Sequence, residues 1–128
     1  MDGSYLAERL GQLGLYDSFR HRLEYRHLTR VLPSDGELLA ASGGVFRGKR
    51  WLIFLMSGGW FFVSANPITG LELLSFSDDA VLQLVPKKGL LFGSLLLRLE
   101  GKDERISNMN RNAPNLFAAV WSRKAGNP

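Results

Sequence analysis

The sequence predicts a mainly β fold: seven short strands in an antiparallel sandwich or barrel, with helices on either side. Three observations point there. Between residues 37 and 109, short apolar-rich runs recur at hairpin spacing, separated by Gly, Pro, Asn and Asp turn signals. Residues 113–124 then switch to a helical period. Finally, 128 residues that are 45% apolar and contain no cysteine can bury one core unaided, without a disulfide framework.

The first stretch, residues 4–32, reads as helical. Leu6, Leu10 and Leu13 share a face, and Ser4 is placed to cap its N-terminus. Gly11 and Gly14 weaken or end that helix. Tyr16, Phe19 and Leu23 then form a second apolar stripe, which Pro33 and Gly36 terminate. Strands are expected at 37–46, 50–57, 60–65, 71–77, 80–86, 94–100 and 103–109. The turns between them are Arg47-Gly48-Lys49, Gly58-Gly59, Asn66–Gly70, Asp78-Asp79, Lys87–Gly93 and Gly101-Lys102. Strand 94–100 alternates most clearly: Leu95, Leu97 and Leu99 point one way, Ser94, Arg98 and Glu100 the other. In the closing helix, Asn112 is the expected N-cap and Pro114 occupies the first turn. Leu116, Phe117, Val120 and Trp121 form its apolar face, and Gly126 ends it. Such a face needs an apolar surface to cover, and the open end of a small barrel supplies one. Residues 1–32 are thus read as a helical extension and 33–126 as the domain.

Charge and composition exclude more than they name. Net charge is +4, which favours anionic partners by long-range attraction but is also ordinary for solubility. Met1-Asp2-Gly3-Ser4 lacks the basic start of a secretory leader, and the longest apolar run, Trp51–Met56, falls far short of a bilayer span. The expected location is the cytoplasm, with peripheral attachment to a membrane left open.

No catalytic constellation emerges. His21 and His27 lie about 600° of helical rotation apart, so they do not grip one metal together. Asp78-Asp79 and Asp103-Glu104 read as solvated turn residues, and no nucleophile elbow or phosphate loop occurs. Neither a cofactor nor a metal is expected, and the chain reads as a binding protein rather than an enzyme.

Three features are candidates for binding. Arg47, Lys49 and Arg50 crowd the first hairpin turn, while Lys87 and Lys88 mark the turn between the fifth and sixth strands. Alternate turns of a meander return to the same end, so these five cations are expected to ring one opening and hold an anion or lipid headgroup. The preferred reading is that they are solvated hairpin charges that deter edge aggregation. Directly after the lysines, Leu90, Leu91 and Phe92 read either as a membrane-dipping tip or as a plug for the barrel end, the plug being preferred. Arg22, Arg26 and Arg30 recur at helical spacing and would line one face. Asp17 and Glu24 dilute it, and no aromatic-and-basic signature accompanies it, so nucleic acid is not an expected partner.

Seven strands followed by one amphipathic helix is the order of a pleckstrin-homology (PH) domain. The stretch Leu32-Pro33-Ser34-Asp35-Gly36-Glu37-Leu38-Leu39-Ala40 resembles the opening of the bacterial YokE-like PH family. Val85-Pro86-Lys87-Lys88-Gly89-Leu90-Leu91-Phe92-Gly93-Ser94-Leu95 is similar to that family's lysine–glycine hairpin, and Asn108-Met109-Asn110 with helix 113–124 also fits. The resemblance spans residues 31–124. It implies an orthogonal seven-stranded barrel capped by the C-terminal helix, serving as a non-catalytic binding module. For some PH domains it implies phosphoinositide headgroups held near the loop between the first and second strands, and for others a site between that loop and the one joining the fifth and sixth strands; here Ser42-Gly43-Gly44 stands where the usual signature has a lysine. The expected ligand is first a protein, through a sheet edge or the surface beside the helical lead-in. The alternative is anionic phospholipid at the basic hairpins. Oligomerisation is left open.

Overall fold

The computed structural model describes residues 1–125. Seven strands form one antiparallel sheet: β1 (Leu38–Phe46), β2 (Lys49–Met56), β3 (Gly59–Asn66), β4 (Gly70–Phe76), β5 (Val81–Lys88), β6 (Gly93–Leu99) and β7 (Lys102–Met109). Each matches an expected strand within two residues. The order across the sheet is β4-β3-β2-β1-β7-β6-β5, so β4 and β5 are its two edges. The chain passes between them through a 3-10 turn, Asp78–Ala80.

The sheet curls around an inner core that holds Phe46, Trp51, Ile53, Leu55, Trp60, Phe62, Leu95, Leu97, Leu99 and Ile106. Helix α4 (Ala113–Lys124) lies against this core through Phe117 and Val120, both buried, with Trp121 packed partly beside them. The Phe117 and Trp60 rings pack at a tilt of 32° with centroids 5.5 Å apart. Leu116 departs from the expected face and stays exposed. Asn112 precedes the helix, but its side chain makes no capping bond. At the other end, Lys124 Nζ donates to the Met56 carbonyl and, at 2.8 Å, to Asp78 Oδ1, pinning the helix to the β2–β3 turn and to the β4–β5 passage. Asp78 is therefore a bonded anchor and not a solvated turn residue. Gly126 and the end of the 33–126 segment lie outside the described residues.

The N-terminal segment builds a second core. Helices α1 (Gly3–Gln12), α2 (Tyr16–Phe19) and α3 (Leu28–Val31) bring Leu6, Leu10, Leu15, Phe19 and Leu28 onto the outer face of β1–β3. There they meet Leu38, Leu52, Phe54, Met56 and Val63. Strand β2 is thus buried on both sides: its odd residues face the barrel interior and its even residues face the helices. That explains the uninterrupted run Trp51–Met56, since a strand covered on both faces does not alternate. Two details differ from expectation. Asp2, not Ser4, caps α1, its Oδ1 accepting from the amides of Ser4 and Tyr5 at 2.8 and 3.0 Å. The second helix is broken, because Arg22 is extended and a 3-10 turn (Leu23–His27) separates α2 from α3. Arg22, Arg26 and Arg30 consequently do not share one helix face.

Candidate functional site

The two basic turns do not meet. Strand β7 pairs antiparallel with β1, Phe46 opposite Ile106, and with β6, Gly93 opposite Met109. The β1–β2 turn therefore lies beside Glu104, whereas the β5–β6 hairpin lies beyond Met109, about 17 Å further along β7. Parity gives the reason. Seven strands cannot all alternate in direction when the first and last are antiparallel neighbours, and the break falls at the unpaired β4–β5 passage. Every turn after it points to the opposite end from the one expected.

Two of the three cations at the first turn are neutralised within the chain. Arg47 grips Glu104 with two hydrogen bonds of 2.7 Å, Nε to Oε1 and Nη2 to Oε2, while its guanidinium covers the Phe46 ring at 4.8 Å. The bonds to Arg47 hold the Glu104 carboxyl below the usual carboxylate range, and raise Arg47 in turn. Glu104 is thus a structural partner rather than a solvated turn residue. Lys49 pairs with Glu72 and lies 5.0 Å from the Trp51 ring centroid. Arg50 is exposed and has no ion pair among the described residues.

The β5–β6 hairpin is different in kind. Its ladder ends at Lys88 opposite Gly93, and the loop overshoots the last residue of β7. Leu90, Leu91 and Phe92 are 93%, 79% and 56% exposed. They do not plug the barrel; the inner core is filled by other residues, so the preferred sequence reading is overturned. The apex is nevertheless held in shape. The Gly89 amide donates to the Phe92 carbonyl at 2.9 Å, and Arg111 Nε donates to the Gly89 carbonyl at 3.0 Å. At the root, Gly93 leaves room for Pro114: a Cβ there would lie 2.5 Å from the proline Cγ. Helix α4 thereby fixes the direction in which the hairpin projects.

Lys87, Lys88 and Arg111 are exposed and stand on the shoulders of this apolar apex. The sequence contains no Asp or Glu from 80 to 99, nor after Glu104, so nothing in the hairpin or in α4 offsets their charge. Sequence reasoning missed Arg111, which is brought to the hairpin by the turn into α4 over 22 residues of separation. The run free of acidic residues was the available signal. Among the described residues, no helix is long and apolar enough to cross a membrane.

No protein-family model matches the sequence, and no curated protein does. Among solved structures, the chain is similar to a pleckstrin homology domain from Shewanella amazonensis SB2B, with 15% identity and a TM-score of 0.50 over 78% of this chain and 83% of that one. It is also similar to a DUF1696 family protein with a pleckstrin-homology domain from Shewanella loihica PV-4, with 11% identity and a TM-score of 0.44 over 79% and 89% of the two chains. Seven antiparallel strands in this order, closed by a C-terminal helix and matched by the first of these structures, give the chain the pleckstrin-homology fold.

Proposed function

We infer that the chain is a non-catalytic binding module that docks reversibly on anionic membrane through the β5–β6 hairpin. One observation carries this reading: three exposed apolar side chains at an ordered apex, with three exposed cations behind them that make no ion pair among the described residues. Leucine and phenylalanine gain by entering the acyl boundary of a bilayer, while lysine and arginine stay at headgroup level. Each cation near an anionic surface contributes about 1 kcal/mol, and three give about 3 kcal/mol before the apolar tip is counted. Attachment on that scale is weak and salt-sensitive. The first hairpin is not part of this site, because Arg47 and Lys49 already hold carboxylates of their own chain.

Co-sedimentation with vesicles tests the reading. Binding is expected to rise as phosphatidylserine increases to about 30 mol% of a phosphatidylcholine vesicle, and to fall as salt shortens the screening length. The triple variant Leu90→Ser, Leu91→Ser, Phe92→Ser and the pair Lys87→Glu, Lys88→Glu are each expected to lose at least about tenfold in partitioning. Equal binding to neutral and anionic vesicles, or full binding by the triple variant, would sink it.

A further inference from the structure

The two free edges of the sheet are built differently. Edge strands invite pairing with other chains unless proline, bulges or inward and edge lysines block it. Strand β5 carries a proline, Pro86, two exposed lysines, Lys87 and Lys88, and a register shift between Val81 and Gln83. Strand β4, Gly70-Leu71-Glu72-Leu73-Leu74-Ser75-Phe76, has no proline and no lysine, and it pairs with β3 without a register shift. Among the described residues, no hydrogen bond from another element reaches its outer edge. Two of its outward side chains, Leu71 and Leu73, are apolar, and the third, Ser75, is small and polar. Leu71 and Leu73 are 37% and 51% exposed, and Leu23, 43% exposed, shares a surface groove with Leu71.

We propose that β4 is the pairing edge for β4 of a second copy of this chain, in a two-fold antiparallel dimer centred on Leu73. The strand is complementary to itself in that register. Leu73 meets its own symmetry mate, Leu71 meets Ser75, and Glu72 meets Leu74, so no like charges oppose each other. Glu72 is the only charge on the strand, and Lys49 of the same chain neutralises it. A peptide of another protein would need a matching sequence of its own, whereas the second copy carries one by construction. A seven-residue ladder with a few leucines lies at the small end of specific interfaces, which points to dissociation at about 10 µM. Each chain carries a net charge of +4, so the copies repel at long range and added salt strengthens the dimer. Salt has the opposite effect on attachment to an anionic membrane, so the two surfaces are separable in one set of buffers.

Sedimentation velocity of the full chain from about 1 to 200 µM, at about 0.15 and 0.5 M salt, is the test. The expected result is a monomer–dimer equilibrium that shifts towards dimer at higher salt. Leu73→Lys, which opposes two ammonium groups across the axis, is expected to stay monomeric throughout while melting within a few degrees of the unsubstituted chain. Gln83→Lys on β5 and the serine triple variant of the hairpin tip are expected to dimerise normally. A monomer at every concentration, a closed ring or larger assembly, or a Leu73→Lys protein that still dimerises would each overturn the proposal. Failure of vesicle binding has no bearing on it.

Discussion

The pair Arg47–Glu104 joins the first hairpin to the edge of the β6–β7 turn, across 57 residues of sequence. Because Glu104 titrates below its ordinary value in the folded chain, the unfolded chain takes up its proton first as pH falls. The pair's contribution is therefore complete above the ordinary glutamate range near pH 4.3, and disappears as pH drops through the lowered folded value. Arg47 is half exposed, so solvent screens the pair and its worth is about 0.5–1 kcal/mol. Glu104→Gln is expected to lower the melting temperature by a few degrees at about pH 7, with the gap to the unsubstituted chain closing below about pH 4. Thermal melts of both proteins at the two pH values read this directly, and a gap that persists in acid would show that charge is not what the substitution removed. Sequence alone could not reveal the pair. Arg47 and Lys49 look like free hairpin cations, because their carboxylate partners become neighbours only when the sheet forms.

The elements themselves were legible, because each carries its own periodicity and punctuation. Seven strands and α4 follow from alternation, glycine turns and the apolar face around Phe117 and Val120. What the elements do at their ends was not legible. Leu90-Leu91-Phe92 has the same composition whether it fills a barrel mouth or projects from it. The difference lies in where the β5–β6 ladder stops: it ends at Gly93, opposite Met109, so the loop lies beyond the last residue of β7. Gly93 sits at that junction, and its missing Cβ is what lets Pro114 approach. Gly93→Ala forces the start of α4 away from the hairpin, with an expected cost of about 1–3 kcal/mol typical of overpacking. The first effect should appear where the two elements touch. Amide exchange is expected to quicken in 89–95 and 111–117 while the β2–β3 ladder keeps its protection. Uniform loss of protection, or none, would mean that the hairpin and α4 are not coupled through this contact.

At the scale of the molecule, the helical lead-in and the barrel are one stability problem. The sequence showed two amphipathic stripes before the strands, but not what covers them. It also showed six consecutive apolar residues at Trp51–Met56, whose double burial is the clue that the sheet needs a cover on its outside. Removing residues 1–32 would expose Leu38, Leu52, Phe54, Met56 and Val63 together, all now buried. At about 1.5–3 kcal/mol for each such side chain, the loss is on the order of 10 kcal/mol, as large as the whole stability of a typical domain. The fragment beginning at Pro33 is therefore expected to be unfolded or aggregated, despite containing every strand and α4. Its far-ultraviolet circular dichroism and amide dispersion decide the matter. A soluble fragment with a cooperative melt would show that the inner core suffices and that α1–α3 merely decorate it. Loss of the cooperative transition would show that the pleckstrin-homology barrel of this chain is completed from outside, by helices whose cover over β2 replaces the polar outer face that a freestanding barrel carries.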